Sequence, residues 1–249
     1  MARTTSYGNC ALCGSRSNKA GMTRHLKTCA PEHDGKRGRA ARLFHLRAEG
    51  DGAPRYWLDL EIKAGATLVE LDRFLRTIWL ECCGHLSMFK VGNTHYNLDH
   101  DEEDGFEDDL ESLFEGFPVA NRELFEELRA RQPKERDMDV PLAEVLESGL
   151  RFSHEYDFGS TTYLKLKVSG EREGRIGGGA LRLLARNEPL EWSCRVCGKP
   201  ATQLHTEEMW KDDNPFYCEV HAEAHEDDWA FMPVVNSPRM GVCGYTGAG

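Results

Sequence analysis

The sequence predicts an α+β fold in which a mixed β-sheet packs on one main helix, in a β-grasp-like arrangement. Segments with strand and helix periodicity are both present, but they do not alternate regularly, which disfavours a parallel α/β sheet. A polar, basic segment over 34–41 and a glycine-rich segment over 174–179 set off a small cysteine-containing unit at each end. We therefore expect one central domain with two small satellites.

The first half of the central domain predicts a hairpin, a helix and two further strands. LFHLRAE is a short strand candidate. The next segment predicts a half-buried strand that forms a hairpin with it, because apolar side chains recur at every second position: Tyr56, Leu58, Leu60 and Ile62. Thr67 and Glu70 form a capping box that opens the main helix, whose apolar residues recur at helical spacing: Leu68, Leu71, Phe74, Leu75, Ile78 and Trp79. MFKVGNTHYNL predicts two short strands around Gly92-Asn93.

The second half of the central domain predicts an acidic loop over 99–115, a helix over 121–131, a short helix over 141–148 and two strands. A proline in its first turn favours the short helix. The strands follow from alternating apolar residues over 152–158 and 164–168.

Two sets of cysteine and histidine, one near each end of the chain, have the spacing of zinc ligands. Zinc prefers four tetrahedral sulfur or nitrogen ligands, and a Cys-x2-Cys knuckle supplies two of them from one tight turn. His25 and Cys29 lie four residues apart, so they share one face of a helix and can bind one metal ion. Fingers with similar spacing carry an aromatic residue between the knuckle and the helix, and here that position holds Ser17. The predicted ligands are Cys10, Cys13, His25 and Cys29 in the first set, and Cys194, Cys197, Cys218 and His221 in the second.

A further zinc site in the C-terminal unit has a weaker basis. His205, Glu208 and His225, with Asp228 nearby, offer nitrogen and oxygen ligands for a cross-braced second site. The alternative is that these residues are ordinary exposed polar groups of a small zinc unit. We expect two zinc ions and leave this third one open.

The remaining cysteines predict packing rather than chemistry. Cys82 falls on the apolar face of the main helix, and neither Cys83 nor the nearby His85 and His95 has an assignable third partner for a nucleophilic pair. We expect Cys243 to be a packed small residue, as free cysteines commonly are.

The motifs divide the chain into five parts. They are a Cys2HisCys zinc finger over 1–33, a basic linker over 34–41, the α+β core over 42–172, a connector over 173–190 and a C-terminal zinc-binding unit over 191–249.

Charge is distributed unevenly along the chain. The 249 residues carry a net charge of -11, yet residues 1–47 hold ten Lys or Arg against two acidic residues, a surplus of +8 that leaves -19 for the rest. This imbalance is compatible with local contact to nucleic acid, but a structural or protein-binding finger and a basic segment that only aids solubility fit it at least as well. The basic candidates are Lys19, Arg24, Lys27, Lys36, Arg37 and Arg39.

The compartment is expected to be cytoplasmic. The sequence has no run of 18 apolar residues, so we expect neither a transmembrane helix nor a membrane partner. The first residues lack the apolar stretch of a secretory signal. In a reducing compartment, cysteines with knuckle spacing bind metal rather than form disulfides. Nothing in the sequence indicates the oligomeric state.

The order of motifs over 42–172 resembles the plasmid pRiA4b orf-three-like family, bacterial proteins often labelled insertion-sequence passengers. The motifs are RYWLDLEI, the helix opening TLVELDRFLRTIW, the His-Leu-x-x-Phe run from His85 to Phe89, Tyr96, PLAEVLESG and Tyr156-Asp157-Phe158-Gly159. The tail also resembles an extension of some members, in its Cys-x2-Cys-Gly-x-Pro-Ala knuckle, its Tyr-Cys-x2-His segment and its ending PVVNSPRMGVCGYTG. The resemblance implies an α+β core and a mobile-element context, and it implies no particular activity.

The sequence favours a non-enzymatic, zinc-stabilised binding or adaptor protein over an enzyme. Its finger would be a mobile arm that contacts nucleic acid or a partner protein, because two closed ligand sets and no catalytic constellation are present. The alternative is an enzyme or small-ligand binder that uses a core pocket near His85 and Asp157, lined by His85, Phe89, Tyr156, Asp157 and Phe158.

Overall fold

A ten-stranded mixed sheet forms the centre of the structure, a computed structural model that describes residues 5–98, 132–211 and 214–247. Its strands are β1 (Tyr7–Cys10), β2 (Arg16–Asn18), β3 (Ala41–Gly50), β4 (Trp57–Lys63), β5 (Ser87–Val91), β6 (Thr94–Asn97), β7 (Lys134–Asp137), β8 (Arg151–Tyr156), β9 (Thr162–Gly174) and β10 (Leu181–Asn187). They lie in the order β2-β1-β10-β4-β3-β9-β8-β5-β6-β7, and all neighbours pair antiparallel except the parallel pair β6 and β7.

Short helices and a second, smaller sheet complete the described structure and confirm the α+β class. The helices are α1 (Lys19–Glu32), α2 (Leu68–Leu75), α3 (Leu142–Val145) and α4 (Glu219–Glu223). The small sheet has the order β12-β11-β13 and consists of β11 (Gln203–His205), β12 (Phe216–Tyr217) and β13 (Phe231–Pro233). None of the helices in these described ranges has the length and apolar character needed to cross a bilayer.

The main helix α2 packs across one face of the sheet, as predicted. Thr67 and Glu70 form the capping box that the sequence indicates. The apolar side of the helix is buried with strand residues such as Phe44 and Leu58, and each fully buried aliphatic side chain contributes roughly 1.5–3 kcal/mol. The regular α-helix is shorter than the apolar spacing predicts, because it ends at Leu75 and continues as a wider π-helical turn over Arg76–Leu80.

The β3–β4 hairpin is present, but β4 is not half-buried. Trp57 to Ile62 are all buried, including Asp59 and Glu61 at 0% and 2% exposure. The alternating pattern misled because the second face of the strand is covered as well. There, Trp57 packs with the helix residues Met22 and Leu26 in a separate apolar cluster.

The N-terminal finger is docked on the sheet rather than separated from it by a flexible linker. Its strand β1 pairs with β10, which lies within the predicted connector over 173–190. In β10, Leu184 and Ala185 are buried in the finger cluster, whereas Leu181 and Leu183 pack half-buried against the core. The preceding glycine-rich run obscured this strand in the sequence. The predicted mobile arm is therefore wrong for the structure described.

Ion pairs hold the end of the finger and the start of the predicted linker on the sheet. Arg172 contacts both Asp34 and Glu61 at 2.7 Å, and Arg182 contacts the same two carboxylates at 3.0 and 2.8 Å. Arg182 also donates to the carbonyl of Ala30 at the end of α1. The Arg172 guanidinium lowers the pKa of Asp34 to about 2, which keeps this carboxylate charged.

Other predicted elements have mixed outcomes. The strands over 152–158 and 164–168 are confirmed as β8 and β9, and the short helix over 141–148 is confirmed as the shorter α3. The predicted strands around Gly92-Asn93 are confirmed as β5 and β6. The acidic loop over 99–115 and the helix over 121–131 lie outside the described residues.

The buried carboxylate of Glu61 gives a test of finger docking. We expect Glu61→Gln to lower the free energy of unfolding by about 2 kcal/mol, because two partly buried arginines lose a charged hydrogen-bond acceptor. Urea denaturation of the full chain measures the change.

The matched control is Glu171→Gln in β9. Glu171 pairs with Arg42 on the surface, with side-chain exposures of 41% and 45%, so we expect a change within about 0.5 kcal/mol. Equal effects of the two substitutions would contradict the docking role of Glu61.

Candidate metal centres

The first predicted set comes together in the finger. Cys10 ends β1, Cys13 follows in a turn closed by the bond from Gly14 N–H to the Cys10 carbonyl, and His25 and Cys29 lie on α1. The Cys10 and Cys29 sulfurs are 3.8 Å apart, and Cys13 Sγ is 3.2 Å from His25 Nε2. Four ligands placed tetrahedrally about 2.3 Å from one zinc ion have sulfurs roughly 3.8 Å apart, so this geometry fits zinc.

The finger uses the central domain to complete its own core. Asn18 caps α1 by accepting a hydrogen bond from Gly21 N–H at 2.8 Å. Trp57 of β4 packs with the finger residues Met22 and Leu26. The aromatic residue that is absent at Ser17 is therefore supplied by the sheet, a long-range contact that finger spacing does not reveal.

The second predicted set comes together in the C-terminal unit. Cys194 and Cys197 form a knuckle closed by the bond from Gly198 N–H to the Cys194 carbonyl, Cys218 precedes α4 and His221 lies on it. The Cys197 and Cys218 sulfurs are 3.8 Å apart, and His221 Nδ1 is 3.5 Å from Cys194 Sγ and 3.2 Å from Cys218 Sγ. These distances match those of the finger set.

Thiol acidity in the two sets is set by close polar neighbours. In the finger, the Ser15 hydroxyl and then its backbone N–H lower the pKa of Cys13 to about 6. Burial, followed by the neighbouring thiols, raises the pKa of Cys29 to about 12. Burial opposes the ionisation of Cys194, but backbone N–H groups at its sulfur outweigh this and lower its pKa to about 6. A bound divalent cation would deprotonate all the coordinating thiols.

Near the predicted third site, Asp227 takes the place expected for Glu208. His205, His225 and Asp227 have ligand atoms within 4.8 Å of one another. Both ring nitrogens of the buried His205 lack a hydrogen-bond partner among the described residues. Glu208 instead accepts hydrogen bonds from Arg195 at 2.7 Å and from the Tyr217 hydroxyl at 2.9 Å.

Three cysteines predicted as packing residues lie together with a histidine. Cys82, Cys83, His85 and Cys243 have ligand atoms within 4.8 Å of one another. Cys82 is half-buried and packs against the core, in line with the prediction, but Cys83 and Cys243 are exposed, so the predicted packed role is wrong for Cys243. The available signal was the doublet Cys-Gly, which occurs at Cys83 and Cys243 as it does at both knuckles.

Most of the basic candidates are exposed, with one exception. Lys19 donates hydrogen bonds to Glu49 and to the Pro54 carbonyl, so it fastens the finger to the hairpin. The side chains exposed on the finger and the segment after it are Arg24, Lys27, Lys36, Arg37 and Arg39.

The five residues of the predicted core pocket do not share one cleft. Phe89 and Tyr156 are completely buried, whereas Phe158 is 48% exposed. His85 Nε2 lies 3.6 Å from Asp157 Oδ2, but Asp157 is itself occupied by hydrogen bonds.

Asp157 anchors the C-terminal tail, here residues 237–247, to the core. It accepts hydrogen bonds from the Ser160 hydroxyl at 2.6 Å and from the fully buried guanidinium of Arg239 at 2.7 Å. The Ser160 hydroxyl and, against the effect of burial, Arg239 hold the pKa of Asp157 well below its usual range. The Tyr-Asp-Phe-Gly motif therefore serves tail docking.

Substitution of one ligand tests each knuckle set. We expect Cys10→Ala and Cys194→Ala each to remove one zinc ion, because three remaining ligands hold zinc much more weakly than four. Native mass spectrometry with elemental analysis of the full chain counts the ions.

Matched controls replace a neighbouring polar residue in each set. Thr28→Ala and Ser193→Ala leave the ligands in place and should retain the full zinc content. A Cys10→Ala or Cys194→Ala protein with unchanged zinc content would contradict the assignment of that set.

Comparisons with known proteins assign no function. No family model and no curated protein matches the chain. Among solved structures, the crystal structure of a protein of unknown function from Methanosarcina mazei Go1 is similar, with a TM-score of 0.42 and 14% sequence identity. The match covers 58% of this chain and 69% of that chain, and it is too remote to transfer a fold family or a function.

Proposed function

We propose that the protein is a non-enzymatic, zinc-stabilised binding or adaptor protein whose finger contacts nucleic acid or a partner protein. The observation that carries the proposal is the closure of both knuckle sets by four protein ligands each. A closed set leaves no coordination position for a substrate, and such sites are structural in other zinc proteins.

The proposed binding surface is the exposed basic side of the finger. Arg24 and Lys27 lie three residues apart and so share one face of α1. Lys36, Arg37 and Arg39 follow in the segment between α1 and β3. Lys and Arg side chains grouped in this way neutralise phosphates or acidic side chains of a partner, while the acidic remainder of the chain limits contact to this region.

Docking of the finger determines how this surface is presented. Because β1 pairs with β10 and Arg182 contacts the carbonyl of Ala30, the finger has a fixed orientation on the sheet. A partner bound to the basic surface would therefore be held in a defined position relative to the core. We propose that this positioning is the adaptor role.

The cofactors in this proposal are two structural zinc ions, one in each knuckle set. A third ion has candidate ligands in His205, His225 and Asp227, where three ligands would leave one position open. The same proposal includes four expectations that rest on the sequence alone. They are membership in the pRiA4b orf-three-like family, a β-grasp-like core topology, a mobile-element context and a cytoplasmic location.

Neutralising the basic surface tests the proposed function. We expect replacement of Arg24, Lys27, Lys36, Arg37 and Arg39 by Gln to weaken binding of a fluorescent mixed-sequence duplex at least about tenfold in low salt. The slope of log affinity against log salt should fall by about 0.9 for each phosphate contact that is lost. Fluorescence anisotropy of the full chain measures both quantities.

A control variant carries the same loss of charge elsewhere on the surface. It replaces five exposed basic residues outside the finger by Gln: Arg73, Lys134, Arg151, Lys165 and Lys167. An equal loss of duplex affinity in the two variants would show that the duplex contacts basic residues in general and not the finger in particular. The proposed function fails if, in addition to that result, the finger variant retains every protein that co-purifies with the wild type.

A further inference from the structure

All nine cysteines of the chain fall into three groups, and each group contains three cysteines and one histidine. Two of the groups are the knuckle sets. The third joins Cys82, Cys83 and His85, in the loop after the main helix, to Cys243 in the C-terminal tail. We propose that this third group is a closed zinc site that fastens the tail to the core, in addition to the binding function proposed above.

The distances within the third group match those of the knuckle sets. Cys83 Sγ lies 3.7 Å from Cys82 Sγ and 3.9 Å from Cys243 Sγ. His85 Nε2 lies 3.0 Å from Cys83 Sγ and 3.2 Å from Cys243 Sγ. Sulfurs around a tetrahedral zinc ion are separated by roughly 3.8 Å, whereas those of a disulfide are about 2.05 Å apart. The separations are those of ligands that converge on one metal ion.

The backbone around the third group also resembles a zinc knuckle. Gly84 and Gly244 follow Cys83 and Cys243 with φ of 78° and 68°, in the left-handed region that favours glycine. The glycines after Cys13 and Cys197 in the knuckle sets have φ of 76° and 71°. Cys243 itself has a φ of 51°, a conformation that non-glycine residues adopt rarely and mostly where the surroundings enforce it.

The surroundings suit the charge of a zinc ion with three thiolates. One divalent cation, three thiolates and a neutral histidine together carry a charge of about -1. The fully buried Arg239 lies beside this group, with Nη2 3.5 Å from Cys82 Sγ. Its guanidinium also contacts Asp157, so the same arginine neutralises the site and holds the tail.

The loop that carries three of the ligands is held in position by a buried tyrosine. The Tyr156 hydroxyl accepts hydrogen bonds from the backbone N–H groups of Cys82 and His85 at 3.5 and 3.3 Å. It donates to Glu81 Oε1 at 3.0 Å, and Gly84 N–H donates to the same carboxylate oxygen. Supporting hydrogen bonds of this kind orient the ligands of metal sites.

Zinc explains the group better than a disulfide or a nucleophilic cysteine. A disulfide between Cys83 and Cys243 would leave Cys82 and His85 without a role, and a nucleophile requires only one thiol. A shared metal ion uses all four side chains. It also crosslinks residues 160 positions apart in the sequence, beside the Arg239–Asp157 contact that holds the same tail.

Zinc counting in variants of the full chain tests the site. We expect Cys83→Ser and Cys243→Ser each to lose one zinc ion by native mass spectrometry, and the double variant also to lose one, because both cysteines bind the same ion. Thr246→Ala, an exposed tail residue beside the site, should retain the full content. Loss of no ion in the single variants, or of two in the double variant, would overturn the proposal.

Thiol reactivity of the wild-type protein gives a second test, which does not require a substituted protein to fold. Cys83 and Cys243 are exposed, so without metal N-ethylmaleimide should modify them quickly. With zinc bound, we expect peptide mapping to show at least about tenfold slower modification until a chelator is added. Rapid modification of both thiols in zinc-replete protein, or a Cys83–Cys243 disulfide there, would overturn the proposal. The basic finger residues are unchanged in every arm, so failure here is distinct from failure of the binding function.

Discussion

Burial of β4 on both faces is the constraint on which the rest of the structure depends. Helix α2 covers one face with apolar side chains, but the other face carries Asp59 and Glu61 beside Trp57. A buried carboxylate without a partner is strongly destabilising, and here arginines of β3, β9 and β10 pair with both carboxylates. The finger helix then closes over this layer, with its apolar residues on Trp57 and its terminal carbonyls on Arg182.

Small appended units need a crosslink to remain folded in such positions. A unit as short as the finger over 1–33 buries little apolar surface of its own, and units below about 40 residues commonly use a structural metal. The finger set joins β1 to α1, and the C-terminal set joins a knuckle to α4. The proposed third site does the same for the tail, next to the Arg239–Asp157 pair. On this account, metal binding positions the basic surface on the core.

Sequence patterns predicted the parts whose determinants are local. The capping box and apolar spacing of α2, the β3–β4 hairpin and the two knuckle sets all depend on residues close together in the chain. Parts that depend on distant contacts were missed. Strand β10 follows a glycine-rich run and is defined by its pairing with β1 and β4, which no local pattern records.

The third cysteine group was missed for the same reason. Helical spacing placed Cys82 on the apolar side of the main helix, but the chain leaves the helix after a π-helical turn and becomes extended at Glu81. Its fourth ligand, Cys243, is 160 residues away in the sequence. Asp227 was likewise overlooked beside His205 and His225. Glu208, the residue expected there, is instead bound by Arg195 and Tyr217, contacts that the sequence does not reveal.

Amide hydrogen exchange of the full chain, with and without a zinc chelator, tests the central claim that metal ions hold the finger and tail on a sheet that is otherwise stable. The account predicts that chelation increases exchange in α1 and in the tail over 237–247, while β3, β9 and α2 keep their protection. Unchanged protection throughout would contradict it, and so would a loss in β3 and α2 as large as that in α1.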